Sequence, residues 1–311
     1  MLNWDMESAA VRLAGIYAMA GLADDWPSGR QTCIDVLCAY LRMPYQPDFQ
    51  AQAAARTRWK EGEREVRLSI ITVIRDHLRD HRGDQERMAS TWQGRSMDFT
   101  GAVFDGGDFS HAVFAGGIVD FSRATFTGGN VRFGSATFSG ARVRFSGATF
   151  SEGVVGFSRA TFSGGVVDFD GASFSEGRVG FNAATFSGAR VRFNAATFSG
   201  SLVGFPLAKF CGGEVEFSNA SFAGGRVGFM RAIFDGGKVG FFGARFVGGT
   251  VDLSAVRPYN TPAMFSWATQ PDGLRLPPEV DADRHDVHGD RARSMPGGAA
   301  EQAQRQTAEI P

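Results

Sequence analysis

His77 and His81 are the pair whose types and spacing in this sequence could hold a metal ion. They lie four positions apart, which places both imidazoles on one side of a helix, and Asp76 and Asp80 precede them. Imidazole nitrogens are common zinc ligands. A third ligand at a matching spacing is missing, so we favour a solvated helix end and expect no cofactor. Three arginines crowd the same stretch: Arg75, Arg79 and Arg82.

Other arrangements that support catalysis do not stand out. The Gly-Gly pairs along the chain are not followed by Lys-Ser/Thr and do not open a helix, so they are turns and not phosphate-binding loops. His285 and His288 lie in a polar tail. No Ser/His/Asp or Cys/His set is recognisable. We therefore predict that the protein is not an enzyme.

Charge and cysteine content limit the classes of partner. The net charge is −1, from 32 basic and 33 acidic residues, and favours neither nucleic acid nor a strongly acidic surface. Cys33, Cys38 and Cys211 are too few for a disulfide framework and predict a reducing, cytoplasmic location. We interpret Cys33 and Cys38 as small apolar residues.

Phenylalanine spacing reveals internal repetition. The chain has 29 Phe, and from Phe109 onward they alternate in steps of five and seven residues. The resulting 12-residue unit reads F-x-x-A-x-F-x-G-G-x-V-x, and such regularity is typical of a stacked repeat array. Twelve consecutive units begin at core residues Phe109, Phe121, Phe133, Phe145, Phe157, Phe169, Phe181, Phe193, Phe205, Phe217, Phe229 and Phe241.

Each unit supplies two short strands and two turns. The triplets V-x-F and A-x-F alternate apolar and polar residues, which is the pattern of a half-buried strand. Ser, Asn, Asp and Gly separate the triplets and favour turns. Strands this short cannot form a globule, so we expect them to wind into a coil in which each turn pairs with the next.

The middle residues of the V-x-F triplets set the length of one coil. In every second unit this middle residue is charged, and its sign alternates along the chain. In the units between, it is mostly glycine. A coil of 24 residues keeps these two series on separate faces. Opposite charges on neighbouring strands attract by roughly 0.2–1 kcal/mol. The first series could be a docking surface, although we favour a self-satisfied ladder. The first series is Asp120, Arg144, Asp168, Arg192 and Glu216, and the second is Arg132, Gly156, Gly180, Gly204 and Gly228.

Stacking these coils gives the predicted solenoid. We expect about six coils of 24 residues after one tighter 20-residue coil at residues 99–118. At roughly 4.8 Å per coil the stack is on the order of 30 Å tall. Four phenylalanine columns fill the interior, with Val and Ala between them.

Helices precede the repeats. Leu13, Ile16, Tyr17 and Ala20 share one helical face, and a third helix runs from about Glu63 to Leu78. A second apolar face comprises Cys33, Val36, Leu37, Tyr40 and Leu41, in a helix that Ser28 and Gln31 open as a capping box. We predict a helical domain at 1–92 that covers the first coil, the solenoid at 93–253, and a C-terminal segment at 254–311. In that segment Met264, Phe265 and Trp267 fold over the last coil, and residues from about 278 onward are disordered.

The triplets resemble those of pentapeptide-repeat proteins, whose unit places a small residue two positions before a central Leu or Phe. Four segments match: Ala102-Val-Phe104, Ala112-Val-Phe114, Ala124-Thr-Phe126 and Ala148-Thr-Phe150. The two-residue insertion after every second pentapeptide departs from the family pattern and predicts bulged corners. The preceding helical segment resembles that of many actinobacterial members. The resemblance implies a mainly β protein with a right-handed quadrilateral parallel β-solenoid.

Uniform repetition favours a non-catalytic scaffold that binds an unidentified protein, with the helical domain as a second docking element. The resemblance adds two alternatives: a DNA-mimicking modulator of a type II topoisomerase, and a truncated member of a membrane-associated group. Residues 97–253 carry 12 acidic and 13 basic side chains, which argues against the first and against nucleic-acid binding. The apolar stretch at 9–22 contains Arg12 and is too short to span a bilayer.

Overall fold

A computed structural model of the chain describes residues 4–47, 62–81, 83–267 and 269–278. The chain divides into two compact units, Met1–Arg275 and Leu276–Pro311. Every element below lies in the first unit. His285, His288 and the tail that the sequence assigns to disorder lie outside the described residues.

Helices open the described chain. Their bounds are α1 Trp4–Asp25, α2 Arg30–Arg42, α3 Glu63–Leu78 and α4 Gln85–Ala89. The bounds of α3 match those predicted from its apolar periodicity. Its stripe of Val66, Ile70, Val73 and Ile74 is buried, which gives the helix a fixed side against the rest of the molecule.

The predicted capping box of α2 is wrong. The helix begins at Arg30 with Gly29 as its N-cap residue, and no side chain caps its first turn. Gln31 is engaged elsewhere, because its amide donates to Asp35 and to the carbonyl of Ser96. The Gln31 side chain thus links α2 to the start of the solenoid and cannot reach back to Ser28.

The buried stripes of α1 and α2 are narrower than predicted. Ile16 and Ala20 are buried in α1, and Leu37 is buried in α2, whereas Tyr17 and Val36 are 58% and 48% exposed. Each exposed residue sits next to a buried one, and a step of one residue turns it away from the core.

The repeats form a parallel β-solenoid with four sheets, one per side, numbered face 1 to face 4 in chain order. Face 1 comprises Met97–Asp98, Ile118–Asp120, Arg142–Arg144, Val166–Asp168, Arg190–Arg192, Glu214–Glu216, Lys238–Phe241 and Met264–Phe265. Face 2 comprises Val103–Phe104, Thr125–Phe126, Thr149–Phe150, Ser173–Phe174, Thr197–Phe198, Ser221–Phe222 and Arg245–Phe246. Face 3 comprises Gly107–Asp108, Asn130–Arg132, Val154–Gly156, Arg178–Gly180, Leu202–Gly204, Arg226–Gly228, Thr250–Asp252 and Leu274–Arg275. Face 4 comprises Val113–Phe114, Thr137–Phe138, Thr161–Phe162, Thr185–Phe186, Lys209–Phe210 and Ile233–Phe234.

Strands pair in parallel with the strand one coil away. Val167 lies opposite Val143 and Val191, and side chains that meet between coils, such as Arg144 and Asp120, are 24 residues apart in sequence. The quadrilateral parallel solenoid with about 24 residues per coil is confirmed.

The first coil is longer than predicted. Met97 pairs with Val119, and Val103 pairs with Thr125, so the step is 22 residues and not 20. The corner between faces 2 and 3 lacks the two-residue insertion in this coil. The corner between faces 4 and 1 keeps it, as Gly116-Gly117.

A tight turn follows each V-x-F triplet. The N–H of Ala184, for example, donates to the carbonyl of Phe181 at 3.1 Å. The third residue of the turn has a positive φ, 53° at Ala183 and 66° at Gly171. That geometry is the one type II turns require, and it favours Gly or Asn. Several coils place other residues there, at a conformational cost.

Phenylalanine columns run down the inside of the faces. All twelve core phenylalanines named from the sequence are 0% exposed. Those on face 1 stack on each other, as Phe145 does on Phe169 with ring centroids 4.7 Å apart. Rings on opposite faces meet edge to face, as Phe145 and Phe157 do at 6.2 Å. Aromatic pairs favour both geometries.

The helices cover the open edge of the first coil. Ile71 of α3 packs over Gly107, where a Cβ atom would come within 2.8 Å of its Cδ1 atom. Arg64 pairs with the buried Asp105 at 2.9 Å, and Arg75 pairs with Asp108 at 3.1 Å. An uncovered sheet edge would present unpaired backbone groups.

Arg67 is the buried cation of this junction. Its guanidinium donates to the carbonyls of Leu41 and, at 3.3 Å, Val103. It also lies 4.4 Å over the ring of Tyr45. Burial lowers its pKa, and the negative charge of Glu63 opposes that shift. Arg67 therefore joins α2, α3 and face 2 at one point.

The last coil is also covered. Met264–Phe265 adds a strand to face 1, and the ring of Phe265 stacks on Phe241 at 5.5 Å. Trp267 contacts Phe246 and donates its indole N–H to the carbonyl of Ala244 at 3.2 Å. The structure thus places these three residues over the last coil, as expected from their sequence.

Candidate functional site

The middle residue of each V-x-F triplet points outward, because its two neighbours point into the core. On face 1 this alternation builds a column of charged side chains that runs from Asp120 to Glu216, one from each of five successive coils. The register places Asp120 beside Arg144, Arg144 beside Asp168, Asp168 beside Arg192, and Arg192 beside Glu216.

The charged column is made of separate pairs and not of the continuous ladder that the alternation predicts. Arg144 donates to Asp120 at 3.0 Å, and Arg192 forms an ion pair with Asp168. Among the described residues, no ion pair joins Arg144 to Asp168 or Arg192 to Glu216.

Local turns engage the two aspartates of these pairs. One oxygen of Asp120 accepts the backbone N–H of Ser122 at 2.9 Å, and one oxygen of Asp168 accepts the N–H of Asp170 at 2.9 Å. Each carboxylate therefore has one oxygen left for an arginine. The column is largely self-satisfied, which leaves few free charges for a partner.

The pKa values of these carboxyls follow from the same contacts. Burial alone would raise the pKa of Asp120, but hydrogen bonds from Ser122 and the charge of Arg144 outweigh it, and the pKa is lowered. Burial and the charge of Asp168 raise the pKa of Asp170. Both shifts have structural causes within the turns and ion pairs.

The His77/His81 pair does not converge on a common point. Nδ1 of His77 lies 2.7 Å from the carbonyl oxygen of Val73, and its Nε2 lies 3.2 Å from Asp24. The Nε2 atom of His81 lies 2.8 Å from the carbonyl oxygen of Asp76. No group of three or more His, Cys, Asp or Glu in the described chain is arranged to hold a metal ion. The expectation that one helix carries both histidines is wrong, because α3 ends at Leu78 and His81 lies beyond it. His77 lies in the last turn of α3 and stacks on Trp92.

The three cysteines are free thiols. Cys33 and Cys38 are buried in α2, and Cys211 is exposed at the corner between faces 4 and 1. Burial raises the pKa of Cys38 to about 12. A thiol held protonated in this way is a poor nucleophile.

The outward column of face 3 received no functional role from its sequence. Gly156, Gly180, Gly204 and Gly228 follow one another in register. Next to this column, Leu202, Leu207 and Met230 are exposed. A signal was present in the sequence: Pro206-Leu207 and Met230 replace the polar residues that most other coils carry at the same corner.

The comparisons with known proteins agree with the repeat geometry. A family model described as pentapeptide repeats (9 copies) matches residues 99–155. Those residues form the first coils of the solenoid, and the later coils continue the same register. Residues 99–155 thus match the sequence pattern of pentapeptide repeats.

Among solved structures, the chain is similar to trypsin-treated QnrB1, a plasmid-mediated fluoroquinolone resistance protein. The identity is 13%, over 63% of this chain and 88% of that chain, with a TM-score of 0.20. No curated protein matches the sequence. None of the described helices is long and apolar enough to cross a membrane.

Proposed function

We propose that this protein is a non-catalytic scaffold that binds a partner protein through the outer faces of its solenoid. The observation that carries the proposal is the filled interior. Phe, Val and Ala occupy the inward positions of successive coils and are buried, so little space remains inside for a substrate. Differences between coils are concentrated on the outside.

Two features of the exterior support a scaffold. Parallel ladders and stacked rings hold each outward side chain at a fixed height and angle, which reduces the entropy lost on binding. In addition, α1 exposes apolar side chains, among them Val11, Tyr17 and Leu22. Exposed apolar residues of this kind are typical of interaction surfaces, so the helices supply a second candidate docking element.

Site-specific photo-cross-linking with the full chain tests the proposal. The cross-linker is placed in separate variants at exposed positions of face 1, face 3 and α1, and the variants are expressed in the native host. We expect one reproducible protein partner, cross-linked from neighbouring positions and not from the others. Turnover of a metabolite by the pure protein, with no reproducible cross-link, would contradict a scaffold role.

Mimicry of duplex DNA toward a type II topoisomerase is the second candidate from the family resemblance. A DNA mimic needs dense negative charge, whereas residues 97–253 carry 12 acidic and 13 basic side chains. The charges of face 1 are also largely paired. We expect no inhibition of gyrase supercoiling at micromolar protein, and clear inhibition would favour mimicry instead.

A further inference from the structure

The glycine column of face 3 has no explanation within the fold. Gly156, Gly180, Gly204 and Gly228 do not have a positive φ, so other residues could adopt their conformation. A Cβ atom at Gly156, Gly180 or Gly228 would meet no heavy atom within 4 Å, and one at Gly204 would meet only Cδ of Pro206 at 3.4 Å. Glycine weakens a strand, and within a sheet it often marks close approach by another backbone.

Side chains flank this column on both sides. The residue two positions before each glycine lies in the same strand and points to the same side of the sheet. The residue two positions after it lies in the turn that follows the strand, and at Pro206 its Cδ atom comes within 3.4 Å of a Cβ atom built on Gly204. The glycines are therefore the floor of a shallow groove, which we call the glycine groove. One ridge is Val154, Arg178, Leu202 and Arg226, and the other is Ser158, Asn182, Pro206 and Met230.

The C-terminal half of the groove is apolar. Leu202 is 38% exposed, Leu207 is 47% exposed and Met230 is 61% exposed. The N–H of Leu207 donates to the carbonyl of Met230 at 3.0 Å, which joins their two coils. Earlier coils place Ser158 and Asn182 on the same ridge. The change from polar to apolar is thus confined to one end.

Positive charge accompanies the apolar half. Among the described residues, Arg226 and Arg231 at this end have no carboxylate within 4.0 Å, and Arg178 in the preceding polar half has none either. Asp252, which follows Gly228 in the column, has its own partner in Arg275 at 3.9 Å. Glu152 and Glu176 lie at the corner before the first ridge, beside the polar half. An occupant with acidic side chains would find unpaired partners at the apolar end.

We propose that the glycine groove binds an extended segment of a partner protein that carries apolar and acidic side chains. This inference rests on the scaffold function proposed above. It adds which surface binds the partner and which side chains the partner carries. A floor without side chains lets a peptide backbone lie close to the sheet. Leu202, Leu207 and Met230 contact its apolar residues, and the unpaired arginines contact its acidic ones.

Filling the groove tests the proposal without damaging the fold. In the double variant Gly180→Thr/Gly228→Thr, both new side chains enter open space, and Thr is favoured in strands. We expect unchanged or higher thermal stability. The matched control is Thr149→Ile, which adds bulk to the outside of face 2.

The probe is a display library of random short peptides selected against the full chain. We expect enriched peptides to combine acidic and apolar residues, to bind more weakly at higher salt, and to lose about tenfold or more in affinity for the double variant. The Thr149→Ile control should bind as the parent does.

Each other outcome overturns the proposal. Peptides that bind the double variant as well as the parent would place the binding surface elsewhere and leave the scaffold function standing. Failure to enrich any peptide would contradict the groove, while partner cross-links from α1 or face 1 would still support a scaffold. A short DNA duplex that binds the parent but not the double variant would assign the groove to nucleic acid.

Discussion

Phe121 lies directly over Phe145, with ring centroids 4.8 Å apart and ring planes 3° from parallel. Phe133, which is nearer to Phe121 in sequence, meets it edge to face at 6.0 Å from the far side of the same coil. The phenylalanine rings therefore form a column within each face, and rings on opposite faces of the same coil also contact each other. Removing one ring breaks contacts along both directions.

Phe169→Ala should cost about 3–5 kcal/mol of unfolding free energy, because it removes a fully buried ring from the middle of a column. Phe242→Ala, at a position that is 45% exposed, is the control and should cost far less. Chemical denaturation measures both. Equal costs for the two variants would show that the columns do not hold the solenoid together.

Ala183 and Gly171 occupy equivalent turn positions with positive φ, after strands on opposite faces. Left-handed backbone costs a residue with a Cβ atom roughly 1–2 kcal/mol, whereas glycine adds roughly 0.5–1 kcal/mol of entropy cost. Ala183→Gly should therefore stabilise the protein slightly, and Gly171→Ala should destabilise it by about 1 kcal/mol. The two melting temperatures should move in opposite directions. A Cβ atom at Gly171 meets nothing within 4 Å, so a change in the melting temperature of Gly171→Ala reports the backbone conformation and not a steric clash.

Arg67→Met should loosen the helices from the first coil. The substitution keeps the length of the side chain but leaves the carbonyls of Leu41 and Val103 without their donor, and a buried acceptor left unsatisfied costs roughly 1–3 kcal/mol. Hydrogen exchange should become faster in α2 and in Val103–Phe104, while the central coils stay protected. Arg42→Met is the control, because its ion pair with Asp98 is exposed and should contribute under about 1 kcal/mol.

Stability should fall in acid partly through Asp120. Its folded-state pKa lies below the ordinary value of 3.8, so it contributes stability above that value, and the contribution is lost as pH falls through the folded-state pKa. Urea midpoints measured from pH 7 down to pH 2 should decline for the parent below about pH 4. Asp120→Asn should start lower at pH 7 and decline less. Parallel curves for the two proteins would remove Asp120 from the acid response.

The thiols should differ in reactivity as they do in burial. A maleimide should label Cys211 in the folded protein and leave Cys33 and Cys38 unmodified until denaturant is added. Intact mass spectrometry counts the adducts, and Cys211→Ser should abolish labelling of the folded state. Fast labelling of Cys38 would show that α2 opens readily, since burial holds its pKa at about 12.

Much of this architecture could be predicted because its causes are local and repeat. The phenylalanine spacing sets the strands and turns, and the alternation of Asp120, Arg144 and Asp168 distinguishes a 24-residue coil from a 12-residue one. The breaks in the charged column could not be predicted from alternation. At the break between Arg144 and Asp168, the Asp168 carboxylate is engaged by the N–H of Asp170 and by Arg192, which depends on turn geometry.

Other differences have equally specific causes. Ser28 and Gln31 have the spacing of a capping box, yet Gln31 finds a stronger set of partners in Asp35 and Ser96 once the solenoid is in place. The repeat pattern alone assigns no role to the Leu207 and Met230 corner, because these two residues depart from the pattern. In a solenoid the informative surface positions are those where one coil differs from its neighbours.

Each coil after the first contains two nearly identical 12-residue halves whose outward residues differ. Gain or loss of one half would leave the aromatic interior intact, yet every later coil would exchange its charged side for its glycine side. Two halves must be gained or lost together if the surface pattern is to survive. The solenoid can therefore keep its surface pattern only if it gains or loses whole turns. The exterior thus limits changes of length more strictly than the core does.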